Sequence, residues 1–145
     1  MVGLGKFRRK LSLNEGAELL EAALALPILL LVMLAVVNLG MVVFASQMAE
    51  EAARYGVRAG AVAESNQAAA AASAALSFAT TTFPIGAPSV TVLSPGGAIG
   101  STLRIRVTYR VPNYLRGFAA LFPGIPSREF VVSGEAAMRQ EGWLR

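Results

Sequence analysis

From Ala22 to Ala49 the chain runs for 28 residues without an Asp, Glu, Lys or Arg, and roughly 20 apolar residues are enough for a helix to cross a bilayer. The centre of the run, Ile28-Leu29-Leu30-Leu31-Val32-Met33-Leu34-Ala35-Val36-Val37, has no periodic polar face. It is too long and too uniformly apolar to be the buried stripe of a soluble helix. One transmembrane helix is therefore expected, assigned to residues 17–50. Lys6, Arg8, Arg9 and Lys10 precede it, and Glu50 and Glu51 open its far flank. The positive-inside rule then places the N-terminus in the cytoplasm and the remainder of the chain outside it. Pro27 removes a backbone donor early in the run and crowds the carbonyl of Ala23, which predicts a kink or a short unwound turn.

Charge is distributed in keeping with that topology. Residues 17–145 carry nine Arg against eight Glu, so the formal charge of +4 resides mostly in the basic head. Arg104, Arg106 and Arg110 are the only plausible nucleic-acid footprint, and no nucleic-acid partner is expected. Beyond Gly16 there is no His, Cys, Asp or Lys. Most general bases, soft metal ligands and amine nucleophiles are thereby missing, so neither an enzyme, a metal site nor a cofactor is expected. Without cysteine, an exported domain of about 65 residues has no disulfides to support a core that is marginal at this size. Packing against its own long helix or against sister subunits would make up the difference.

Four segments follow along the chain: a polar leader at 1–16, the membrane helix at 17–50, an Ala-rich helical continuation at 51–82, and a small β-rich domain at 83–145. The fold class expected is α+β. In the continuation, Glu50, Arg54 and Arg58 stand at i, i+4 spacing. Ala45, Ala49 and Ala53 form one stripe of small residues, and Ala52, Gly56 and Gly60 form another. Such stripes let a neighbouring helix approach closely; simple helix propensity explains the alanines equally well, and the two glycines also suit a bend. The run Ala68–Ala72 extends the helical reading, which Thr80-Thr81-Thr82-Phe83-Pro84 ends. In the last segment Leu103, Ile105, Val107, Tyr109 and Val111 alternate with Arg104, Arg106, Thr108 and Arg110, the pattern of a half-buried strand. Pro88–Leu93 reads as the preceding strand, joined through Ser94-Pro95-Gly96-Gly97, and Glu129 to about Arg139 as a third. Leu115, Phe118, Ala119 and Phe122 recur at helical spacing, so a short amphipathic helix over Asn113–Phe122 is expected, either lidding the sheet or offering a sticky surface to a partner or the bilayer.

The chemically pointed stretch is Gly16-Ala17-Glu18-Leu19-Leu20-Glu21, at the mouth of the apolar run. A small residue admits an extended backbone to a peptidase cleft at the cytoplasmic membrane face, and cleavage after Gly16 would leave a new amine on Ala17. The Glu21 carboxylate could neutralise that amine, on its own chain or on a neighbouring subunit. Both charges are costly in a bilayer, by amounts on the order of a few kcal/mol each, so pairing them would favour docking. Glu18 shares a face with Glu21. The plainer account is that both are ordinary helix N-terminal acids, favourable to the helix dipole and lying in the headgroup layer.

Residues Gly16–Val37, together with Phe44-Ala45-Ser46-Gln47-Met48-Ala49-Glu50-Glu51-Ala52-Ala53-Arg54-Tyr55-Gly56-Val57-Arg58, resemble the N-terminal region of TadE-like proteins, minor pilins or pseudopilins of the bacterial tight-adherence (Tad/Flp) pilus. The resemblance covers residues 16 to about 62. It implies that a dedicated aspartic prepilin peptidase cuts the Gly16–Ala17 bond and that Glu21, with Glu18 in a lesser role, supports processing or assembly. It further implies the bacterial inner membrane as location, and the membrane, the peptidase, other pilin subunits and the pilus assembly machinery as partners. Assembly would carry the chain into an extracellular pilus. One position departs from the family: the aromatic residue that often follows the acid is Ala22 here. The major pilin is little more than the hydrophobic helix, whereas some 95 residues follow residue 50 in this chain. Two rivals stand beside this reading. A generic single-pass anchored binding protein would keep Met1, and a secreted protein cut after Ala45 would begin at Ser46, although its apolar region far exceeds a signal peptide's 7–15 residues.

Overall fold

The computed structural model describes residues 4–120 and 123–140, with side chains from residue 16 onward. Its elements are helix α1 (Leu4–Ala61), helix α2 (Gln67–Thr82), strands β1 (Ala87–Pro95), β2 (Thr102–Val111) and β3 (Phe130–Arg139), and a single 3-10 turn at Arg116–Phe118. The three strands form one antiparallel sheet in the order β1-β2-β3. The architecture is α+β, as the sequence predicts. Within α1 the helix continues through Pro27, so no unwound turn forms there.

The chain divides into two units, Met1–Val37 and Asn38–Arg145. In the first, Leu19, Leu20, Leu24, Leu26, Ile28 and Leu29 are each more than half exposed. Leaving such a side chain in water forgoes about 1.5–3 kcal/mol relative to full burial. Something apolar must cover this surface. Gly16–Ala61 is the one helical stretch among the described residues long and apolar enough to cross a membrane, and a single-pass membrane protein accounts for it.

The second unit holds the core. Leu103, Ile105, Val107, Tyr109 and Val111 on β2 are all fully buried, while Arg104, Arg106 and Arg110 lie exposed on the other face. The register predicted from alternation is therefore the one adopted. The central inward residues of β2 are flanked across the sheet by inward neighbours: Val90 and Gly134 beside Val107, Val92 and Ala136 beside Ile105. The cover is supplied by the later turns of α1, through Ala45, Met48, Ala49, Ala52, Ala53 and Val57, and by Ala71, Ala75 and Ala79 of α2. Several residues of the 17–50 segment thus belong to the buried core of the second unit.

The helical reading of 51–82 resolves into two helices. Asn66 takes a left-handed conformation at φ 49°, ψ 52° and caps α2, its side chain accepting from the Ala69 N–H at 3.3 Å. Asn tolerates that region better than other non-glycine residues and is a preferred cap. The turn lets α2 pack on α1. A methyl group on Gly56 would stand 2.7 Å from both the Ala71 carbonyl oxygen and Ala75 Cβ, and one on Gly60 2.7 Å from Ala71 Cβ. The stripe Ala52/Gly56/Gly60 therefore does admit a close helix, and that helix is the chain's own.

The amphipathic helix expected over Asn113–Phe122 does not form. Only the 3-10 turn is present, and neither Leu115 nor Phe118 joins the core; Phe122 lies outside the described residues. Asn113 Oδ1 accepts from the Leu115 N–H at 2.9 Å, a local bond that competes with helix, and Gly117 lowers helix propensity further.

Candidate functional site

Gly16, Ala17, Glu18 and Glu21 all lie in α1 and all are exposed. The helix carries straight through the Gly16–Ala17 bond rather than presenting it in extended form. Helical geometry sets Ala17 and Glu21 one turn apart on the same face, with Glu18 and Glu21 likewise neighbours at i, i+3. An amine on Ala17 and the Glu21 carboxylate would therefore meet within one helix. Gly16 has no structural duty here, since a methyl group added to it would meet nothing within 4 Å. Glycine inside a helix is less favourable than alanine by about 1 kcal/mol, so helix propensity is locally lowered at this bond.

Two further polar positions organise the second unit, and neither was predicted from the sequence. Asn38, only 2% exposed, accepts the Tyr114 backbone N–H on its Oδ1 at 2.8 Å. Asn113, also buried, donates from Nδ2 to the carbonyls of Pro126 and Arg128. An amide amid the apolar residues Val36, Val37 and Leu39 was the available signal for Asn38, because a polar side chain there needs a partner. Its partner lies 76 positions away along the chain, which no local pattern reveals.

Tyr109 occupies the heart of the core. Its hydroxyl donates to the Ala79 carbonyl at 2.9 Å, and its ring meets Phe83 edge-on at 5.6 Å. Burial raises its phenol above the ordinary value. Its surroundings are a packed core and contain no reactive partner.

The comparisons with known proteins bear on α1. Residues 16–58 match the family described as TadE-like protein. No curated protein and no solved structure matches the chain. The matched segment opens at Gly16 and closes in the last turn of α1, and the resemblance carried by Gly16, Glu21, the apolar run and the Ala-rich helix after it falls within it. From Gly16 to Arg58 this chain is similar to the TadE-like family.

Proposed function

We propose that the protein is a minor pilin or pseudopilin of a tight-adherence pilus, processed by a prepilin peptidase and contributing to pilus assembly, adhesion or secretion. The observation that carries this reading is the family match beginning at Gly16, with Glu21 one helical turn beyond Ala17. Cleavage at Gly16–Ala17 removes the basic head and leaves an amine at the start of the membrane helix. Glu21 supplies its counter-charge, and Glu18 adds a second carboxylate to the same face. The partners are the bacterial cytoplasmic membrane, the peptidase, other pilin subunits and the assembly machinery. The N-terminus starts in the cytoplasm and the second unit lies outside. The role is structural, without catalysis, cofactor or nucleic acid.

The test is mass spectrometry of the protein in membrane and sheared-filament fractions. The expected mature N-terminus is Ala17, and Gly16→Leu blocks the cut. Because Gly16 touches nothing in the fold, a block there reports on the peptidase and not on misfolding. Glu21→Ala leaves the protein in the membrane but impairs incorporation into pili, with Glu18→Ala weaker in effect. Retention of Met1 beside an active peptidase, or normal pili containing the Glu21→Ala protein, refutes this function.

A further inference from the structure

The connection between β2 and β3 is organised by Asn113. Its Nδ2 donates to the Pro126 carbonyl and, at 3.3 Å, to that of Arg128, while Oδ1 accepts the Leu115 N–H at 2.9 Å. One buried side chain thereby fixes both limbs of the connection. Beside it opens a cavity of about 810 Å³ whose lining residues include three arginines: Arg110 from the end of β2, Arg116 from the 3-10 turn and Arg128 from the returning limb. Glu129 is the one carboxylate in the lining. None of the three arginines is ion-paired among the described residues, in contrast to Arg54 with Glu50 and Arg106 with Glu135. Three arginines lining one cavity from separate limbs suit a phosphate, which planar guanidinium groups can grip in bidentate fashion.

The same connection carries apolar anchors. Tyr114 is 49% exposed and Phe118 36%, and the Tyr114 N–H is bonded to Asn38, whose helical neighbours Leu39 and Val43 are exposed as well. A hydrocarbon layer of about 30 Å takes up about 20 helical residues. A span that begins at Ala22 therefore leaves the hydrocarbon close to Asn38. Aromatic side chains with arginines beside them at that level are the usual furniture of a headgroup layer.

We propose that this cavity holds the phosphodiester of an anionic phospholipid from the outer leaflet of the membrane that α1 crosses. Arg110, Arg116 and Arg128 bind the phosphate, and Tyr114 and Phe118 lie among the upper acyl and glycerol groups. The proposal rests on the membrane-spanning part of the function above and is independent of leader cleavage.

The test uses the full-length protein in nonionic detergent, offered equimolar phosphatidylglycerol and phosphatidylcholine, with the lipid retained after washing measured by mass spectrometry. Wild type should retain phosphatidylglycerol at least fivefold over phosphatidylcholine, and Arg110→Gln, Arg116→Gln or Arg128→Gln should each lower that ratio by up to about fivefold. Glu129→Gln should raise it. That gain is a response misfolding cannot mimic, so the proposal stays testable if an arginine variant fails to fold. Arg54→Gln, which removes an equal charge already paired to Glu50 on α1, should leave the ratio unchanged. Equal retention of the two lipids, or an Arg54→Gln effect as large as that of the cavity variants, overturns the proposal. So does full displacement of the lipid by inorganic phosphate, which would make free phosphate the ligand. Uncleaved and cleaved chains should give the same ratio, so a failed peptidase experiment leaves this one interpretable.

Discussion

Replacing Gly134 by alanine tests a tight joint between α1 and the sheet. Gly134 lies on the inward face of β3 opposite Val107, and it is buried. A methyl group there would sit 2.5 Å from the Ala49 carbonyl carbon and 2.6 Å from Glu50 Cα, whereas carbon atoms rest about 3.5–4.0 Å apart. These obstacles are helix backbone, so no rotamer change relieves them. α1 would have to retreat from the sheet by about 1 Å, and a gap of that size forfeits a quarter to a half of each dispersion contact it opens. Alanine recovers about 0.5–1 kcal/mol from its lower backbone entropy in a strand, against a usual overpacking cost of about 1–3 kcal/mol. Because helix and sheet are both rigid here, the upper end applies, giving a net loss of about 2 kcal/mol for Gly134→Ala and more for Gly134→Val. A domain of this size holds roughly 5–15 kcal/mol in all. Urea unfolding of the full chain in nonionic detergent, followed by near-ultraviolet circular dichroism of the Phe44, Phe83 and Tyr109 cluster, should show a lower midpoint at unchanged slope. Gly117→Ala serves as control: a methyl group there meets nothing within 4 Å, so the change should stay within about 0.5 kcal/mol. A Gly134→Ala protein as stable as wild type, or a Gly117→Ala protein equally damaged, would refute the joint.

Tyr109 makes stability fall at high pH. Its phenol is raised in the folded state, so the neutral form is the one that folding favours. That contribution is whole below the unfolded value of about 10 and is lost as pH rises through the higher folded value. Tyr109→Phe should cost about 1 kcal/mol at neutral pH for the bond to Ala79 and should flatten the alkaline decline in a pH series of urea midpoints; an unchanged decline would mean that another group causes it. A periplasm-active reporter fused after Arg145 should work and the same reporter at the N-terminus should not, and the reverse pattern would invert the topology drawn from Lys6, Arg8, Arg9 and Lys10.

The legible parts of this fold are those specified by local period. β2 was readable because Leu103 to Val111 alternate without a fault, and its burial follows that alternation residue by residue. The apolar length of α1 was equally plain. The turn between α1 and α2 was half legible: Glu64-Ser65-Asn66 is a polar cluster ending in a good cap, but the alanines on either side outweighed it. The β2–β3 connection was misread because Leu115, Phe118 and Phe122 have helical spacing, while Asn113 commits the backbone nearby to a different bond. Gly134 and Asn38 were not legible at all. Each is explained by a partner distant in sequence, the Ala49–Glu50 backbone for one and the Tyr114 N–H for the other. At the candidate site the residue types were legible and their helical surroundings only partly so, since the helix expected from residue 17 begins earlier and α1 runs through the Gly16–Ala17 bond.

The family match ends at residue 58, and this boundary has a physical meaning. The matched stretch contains one side of the core, Ala45, Met48, Ala49, Ala52, Ala53 and Val57, but none of the β2 residues that this side covers. A small-residue helix face can serve many sheets, because alanine and glycine impose little shape of their own and the larger partners Leu103, Ile105 and Tyr109 fill the space. The requirement on α1 is thus closeness of approach, as at Gly56 and Gly60, while the requirement on the sheet is shape. The same division holds for function. In the function proposed above, the leader, the Gly16–Ala17 bond and Glu21 would need only a helix mouth, whereas the arginine-lined cavity depends on Asn38 and Asn113 holding one particular β2–β3 connection in place. Asn38 stands in both settings, inside the matched helix and bonded to the unmatched connection, and it ties the one to the other.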